Sequence, residues 1–418
     1  MVSSPLSVAA QSAAWLGLGA AFLLGAWGPA LGCVGLLAVL ASTRRRFFAP
    51  ARPALERTVA GHPRQGSLLT VVVEAKAPTT GLVDLEAPLP LGVNLVREAR
   101  SAERGRARVE QQVQPIAVGE VAWPAVKVRV TDAWGLESQV ADVDAPAPLT
   151  VLPDHAWALH GRRLGLRHPV KARVRAVQAS ERALEIEGVR RYAPGDSPRD
   201  IDWKVTARYL DLHFKQRERH APRPVTVVLD CGRSMRVQRH DSKLLSAARV
   251  AYGALAAASG AGTTSRLVRV GDAGVVRLAV GDGRDAENAL AAVLGECTPL
   301  PAGQAVGEAV PPVQVAQAVA DGPGLQVLIV DAEVHADAAI ELLGLLRLRG
   351  PVAMVVPATG AHLYRQGEAR GEVLAALRRW RRDRDRVRAA ANRLRVPFIV
   401  LRPGSELDAL AHLGRMFA

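Results

Sequence analysis

Pro224-Val-Thr-Val-Val-Leu-Asp-Cys-Gly-Arg-Ser-Met235 is an apolar, β-branched run that ends in an aspartate. A short run that is apolar on both faces reads as a strand buried in a parallel sheet, and such a strand delivers its terminal acid to the carboxyl edge. Further strand-like runs at Val225 to Leu229, Arg266 to Val270, Val275 to Val280, Leu325 to Val330, Val352 to Val356 and Phe398 to Leu401 alternate with helix-like patterns around 242–258, 285–295, 336–348, 371–394 and 405–416. That alternation predicts a doubly wound α/β unit over 223–418, with ligands at the carboxyl ends of its strands. In the stretch 371–394, Leu374, Leu377, Trp380, Val387, Ala391 and Leu394 fall on or near one face, so its arginines are expected on the solvent side.

Just upstream stands Glu187-Gly-Val-Arg-Arg-Tyr-Ala-Pro-Gly-Asp-Ser-Pro-Arg-Asp-Ile-Asp-Trp-Lys-Val-Thr-Ala-Arg208. So dense a mix of Arg, Asp and Gly fits neither a helix face nor a core, and it predicts a rigid polar loop closing a basic connector over 153–222. Pro194 and Gly195 set a tight turn. Arg190, Arg199 and Arg208 stand among Asp196, Asp200 and Asp202 in numbers that predict bidentate ion pairs. Trp203 is expected to pin the loop to the α/β unit.

These residues carry a resemblance. The order E-G-x-R-x-Y-x-x-G-D-x-x-R-x-I-D-W-K-x-T-A-R, followed by a strand ending in D-x-G-x-S-M, resembles the bacterial domain-of-unknown-function 58 family, membrane-anchored proteins with a von Willebrand factor A-like (Rossmann-like) domain. The resemblance implies a fold, an anchor in the inner membrane with the bulk of the chain in the cytoplasm, and a partner, a MoxR-type AAA+ ATPase in assembly, maturation or stress functions. It makes Glu187, Gly188, Arg190, Tyr192, Gly195, Asp196, Arg199, Asp202, Trp203, Lys204 and Arg208 a structural or partner-binding loop. It also implies a divalent ion above the sheet, for which Asp230, Ser234, Thr298 and Asp331 are the matching positions. Thr298 is placed by position only. Gly232 stands where one hydroxyl ligand belongs, and Arg233 brings a positive charge close to where a cation would sit. Two readings stay open: a weak Mg²⁺ site completed by water, or a vestigial one in which Asp230 pairs with Arg233 or caps the next helix, with Ser234 an N-cap.

The rest of the chain sets limits. From Ala13 to Ala41 there is no charged residue, and Arg44-Arg45-Arg46 follows. That pattern predicts a membrane anchor over 1–46, one span or a hairpin turning at Trp27-Gly-Pro29, in contact with lipid and with the remainder cytoplasmic. Short β-branched runs at Ser67 to Val73, Val126 to Val130 and Leu149 to Leu152 predict a small β-sandwich over 50–152, with a corner at Asp132-Ala-Trp-Gly-Leu136. Three cysteines without CxxC spacing point to a reducing compartment and exclude a disulfide framework.

The net charge of +14 is concentrated: 162–223 holds 16 Lys/Arg against 8 Asp/Glu, and 365–395 holds 11 against 4. Such patches could meet anionic lipid or nucleic acid, but no interleaved aromatics or recognisable module supports nucleic acid. The enzyme alternative makes Asp230, Asp331 and Asp202 a metal-dependent hydrolytic or phosphotransfer centre. No P-loop, GxSxG or HExxH is present, so the sequence favours a non-catalytic, membrane-tethered interaction module.

Overall fold

The computed structural model describes residues 2–3, 5–24, 28–29, 31–38, 53–77, 81–131, 137–167, 186–193, 198, 201–217, 224–238, 242–260, 264–272, 274–280, 283–301, 309–319, 324–363 and 371–416. The chain divides into two compact units, Met1–Val151 and Leu152–Ala418.

In the first unit, strands β1 (Val2–Ser3), β2 (Ala54–Ala60), β3 (Leu69–Lys76), β4 (Leu82–Glu86), β5 (Val93–Glu103), β6 (Arg106–Pro115), β7 (Gly119–Glu120), β8 (Val126–Thr131), β9 (Glu137–Val143) and β10 (Thr150–Val151) are all paired antiparallel. Two four-stranded sheets form, in the orders β1-β9-β8-β4 and β2-β3-β6-β5. Alternation decides which faces meet: Leu69, Val71, Val73 and Ala75 of β3 are buried, and they share one core with Val83 and Leu85 of β4 and Val126 and Val128 of β8. Arg57 is drawn into this unit, donating to the Ala145 carbonyl at 2.8 Å and the Pro124 carbonyl at 3.3 Å and stacking 4.8 Å over the Trp123 ring. The corner expected at Asp132–Leu136 lies outside the described residues.

The membrane anchor expected over 1–46 is corrected. Among the described residues no helix is long and apolar enough to cross a membrane. The uncharged run is divided between a helix at Pro5–Leu23, which gives way to a turn at residue 24, and a second helical stretch at 31–38. Lack of charge is not hydrophobicity. The first helix mixes Leu, Val, Trp and Phe with Ala, Gly, Ser and one Gln, and Ala, Gly and Ser gain little on transfer from water. Arg44 to Arg46 lie outside the described residues.

The second unit opens with a helix, Ala156–Arg167, and an antiparallel pair, β11 (Ile186–Arg191) and β12 (His213–Arg217). Its centre is a sheet of β13 (Val225–Asp230), β15 (Ser265–Gly271), β16 (Gly274–Val280), β18 (Leu325–Ile329), β19 (Val352–Pro357) and β20 (Phe398–Leu401), in the order β16-β15-β13-β18-β19-β20. Two short strands, β14 (Val237–Gln238) and β17 (Leu300–Pro301), pair beside it. Every pairing in the central sheet is parallel except that of β16, and β13, β18 and β19 are apolar and buried almost throughout.

Val228, Leu328, Met354 and Val356 pack on one side against Val315, Leu343, Leu346, Val387 and Ala391 from the helices Pro312–Ala318, Ala336–Arg347 and Glu372–Arg393. Leu374, expected on the buried stripe of that last helix, is exposed, whereas Val387 and Ala391 are fully buried. The chain leaves β13 in one direction for β15, and β18 lies on β13's other side. This is the switch point at which a doubly wound sheet opens a crevice, and Asp230 and Asp331 stand at it.

Candidate functional site

Asp230 ends β13, and Asp331 follows β18 by two positions, so the parallel register brings the two acids together. Asp230 accepts hydrogen bonds from two backbone amides, Gly232 N to Oδ1 at 2.8 Å and Asp331 N to Oδ2 at 3.1 Å. Burial pushes its carboxyl up, opposed by those two bonds; the Asp331 charge raises it further and His335 lowers it. The Asp331 side chain is fully buried and forms an ion pair with Lys243 Nζ. Its other oxygen accepts from Thr359 Oγ1 at 3.3 Å. Behind it Glu333 accepts from Thr359 N and from Arg384 Nη1, each at 2.8 Å, and burial raises its carboxyl as well.

Beside the acids lies an open cleft whose lining includes Asp230, Arg233, Asp331 and His335 together with the apolar Val270, Val315, Val330 and Leu342.

The residues of the implied metal site are only partly assembled. Asp230 and Asp331 adjoin. Ser234 lies inside the short helix Arg233–Arg236, whose N-cap is Gly232, and its buried hydroxyl has no hydrogen-bond partner. Ser234 is therefore not the N-cap. Arg233 ion-pairs with Asp272 at 3.5 Å rather than with Asp230. Thr298 offers its carbonyl to Arg236 Nη1 at 3.5 Å and is not among the residues lining the cleft.

This donor set does not fit a divalent ion. One oxygen of Asp331 is held by the buried Lys243 ammonium, whose charge opposes a cation beside it, and Thr298 does not line the cleft. Lys243 was invisible in the sequence because it opens an apolar helix pattern 88 positions from Asp331. The one signal was its place: the first turn of a helix is the positive end of the dipole, where a lysine needs a specific partner. Cys231 and Cys297 also prove to be neighbours. The hydrogen bond between their thiols, together with burial, holds Cys231 well above the usual range, and the same bond lowers Cys297 against the opposing effect of burial.

The raised carboxyls give a signed expectation for pH. A buried acid with a raised pKa contributes stability that is present below its unfolded value, near 4, and lost as pH rises through the folded value. Asp230→Asn should therefore flatten the stability profile above about pH 4. Urea unfolding at a series of pH values measures it, and a variant as steep as the wild type would refute the assignment.

The signature segment forms a second feature. Asp202 caps the helix Trp203–Tyr209, accepting from Lys204 N at 3.1 Å and Val205 N at 3.2 Å, and meets Lys215 at 3.9 Å. Arg190 stacks 4.8 Å over Phe214, and Arg191 pairs with Asp211 at 3.1 Å. Tyr192 N donates to the Leu212 carbonyl. Glu187 falls at a shift of register between Ile186 and Gly188. Asp202 is thus occupied by backbone amides and a lysine, not by a bidentate arginine, and Arg208 is exposed on the helix's last turn. Gly195, Asp196, Arg199 and Asp200 lie outside the described residues.

The expected anchoring role of Trp203 is corrected: its side chain is 65% exposed, and no residue of its helix is buried. A helix capped at Asp202 starts with Trp203 on its outer surface, so capping overrides the tendency of Trp to be buried.

Residues 188–351 match the family model described as protein of unknown function DUF58. Over those residues the chain is similar to the DUF58 family. The DUF58 match begins in β11, takes in the signature helix and both aspartates, and ends between β18 and β19. No curated protein matches the chain.

Proposed function

We propose that this chain is a non-catalytic interaction module that grips a protein partner through the outer surface of the signature segment. One observation carries the proposal: Trp203 and Tyr209 are 65% and 64% exposed, and Leu210 beside them is 91% exposed. Large apolar side chains gathered on a short capped helix are what a binding surface leaves open, and Trp and Tyr are the residues that most often dominate binding energy. Leu210 holds a left-handed backbone, φ 58°, a conformation that costs a non-glycine residue free energy and that sets its side chain beyond the helix end. The partner we propose is a MoxR-type AAA+ ATPase, from the family resemblance. The compartment we propose is the reducing cytoplasm, where adjacent unbridged thiols such as Cys231 and Cys297 persist.

The test is direct binding between the purified chain and a purified MoxR-type ATPase of the same organism, with and without ATP. Trp203→Ala and Leu210→Gly should each weaken binding by about 2 kcal/mol, roughly 30-fold in Kd. Stability should move by no more than about 0.5 kcal/mol for Trp203→Ala, as for other exposed positions, and should not fall for Leu210→Gly, because glycine takes the left-handed backbone without strain. Unchanged affinity in both variants would move the interface elsewhere, and absence of binding by the wild type would remove the partner.

A further inference from the structure

We infer that Lys243 is a built-in cation which takes the place of a divalent ion at the sheet edge, so that the site works without metal. The geometry is specific. Lys243 begins the helix Lys243–Gly260, whose N-terminal end repels positive charge, and its side chain is 1% exposed, so neither solvent nor local backbone favours an ammonium there. It persists because its Nζ meets Asp331 Oδ2, with Thr359 Oγ1 at 3.4 Å. Asp331 is the acid to which the resemblance gave a metal.

A charge of +1 on Nζ neutralises one carboxylate. Asp230, the other, is held by two backbone amides, and no Lys or Arg among the described residues pairs with it. A divalent ion arriving at this arrangement would meet an ammonium at van der Waals range, and like charges at such separations in a buried site repel strongly. A buried ammonium cannot bridge to a partner's carboxylate as an exposed metal would. Contact with a partner at this edge is therefore left to the apolar walls of the cleft and to Arg233 and His335 in its lining.

Lys243→Ala frees one oxygen of Asp331 and the volume of the lysine side chain, and it restores a net charge that a cation can neutralise. Mn²⁺ and Mg²⁺ are the probes, added to the full chain, with calorimetry and thermal unfolding as readouts. The wild type should show no stoichiometric binding and no change in Tm at millimolar metal. Lys243→Ala should melt lower than the wild type and recover part of the loss in millimolar Mn²⁺, with one ion bound at least about tenfold more tightly than by the wild type. Asp331→Asn added to Lys243→Ala should remove that binding.

One-to-one binding of either ion by the wild type that is lost in Asp331→Asn would overturn the inference. So would a folded Lys243→Ala that binds neither ion. If Lys243→Ala does not fold unaided, refolding in Mn²⁺ decides: recovery supports the substitution of ion for ammonium, and failure with and without Mn²⁺ overturns it.

Discussion

Asp331→Ala is expected to lower the unfolding free energy by about 3–5 kcal/mol, the usual cost of removing one partner from a fully buried ion pair. Both side chains of the Lys243–Asp331 pair are within 1% of complete burial, so solvent cannot solvate the ammonium left behind. Thr359 Oγ1 would lose an acceptor at the same time. The loss should be the same with Mg²⁺ and with chelator. A double replacement, Lys243→Met with Asp331→Leu, should recover most of it, because two apolar side chains fill the space without a stranded charge. Urea denaturation measures all three proteins. A loss below about 1 kcal/mol for Asp331→Ala, within the range of ordinary surface changes, would show that the pair is not a structural element of the native state.

The second large effect is steric. Gly161, in the helix Ala156–Arg167, faces Gly253 in the helix Lys243–Gly260 so closely that a β-carbon on Gly161 would overlap the Gly253 carbonyl oxygen. A β-carbon on Gly253 would lie 2.6 Å from the Leu410 side chain, so three helices converge on two hydrogen atoms. Each glycine costs its helix about 1 kcal/mol relative to alanine, and the close approach offsets that. Gly161→Val should part the helices at a cost of about 2–3 kcal/mol. It should also loosen the stacking of Arg249 over Trp157, 5.1 Å, and the contact of Tyr252 Oη with His155 at 3.3 Å. Urea unfolding with intact m-value, together with faster proteolysis around 156–167, is the expected signature. A valine variant of wild-type stability would mean that the two helices are not in contact in solution.

The two acids were legible in the sequence because both end β-branched runs, and a parallel sheet has only one place to put such residues. The strands themselves were legible for the same reason, since β13, β18 and β19 are apolar on both faces. Lys243 was not, since ion pairing over 88 positions leaves no periodic trace and a lone lysine ahead of an apolar helix reads as solvated. Trp203 misled in the opposite direction: a tryptophan among polar residues suggests an anchor, yet the Asp202 cap sets it on the outside of its helix. The amino-terminal run misled because it is uncharged throughout, yet the chain divides it between separate helical stretches and intersperses its Leu and Val with Ala, Gly and Ser.

The Lys243 ammonium also constrains the order of events during synthesis. Its acceptors lie 88 and 116 positions later in the chain, and Ser246, one turn further along the same helix, waits for Glu406, 160 positions on. A ribosome that has released the helix Lys243–Gly260 has released neither Asp331 nor Glu406, so the helix cannot settle on the sheet without stranding a charge. The α/β unit is thereby held back from closing early, and a nascent chain stalled before residue 331 should stay sensitive to protease throughout this region.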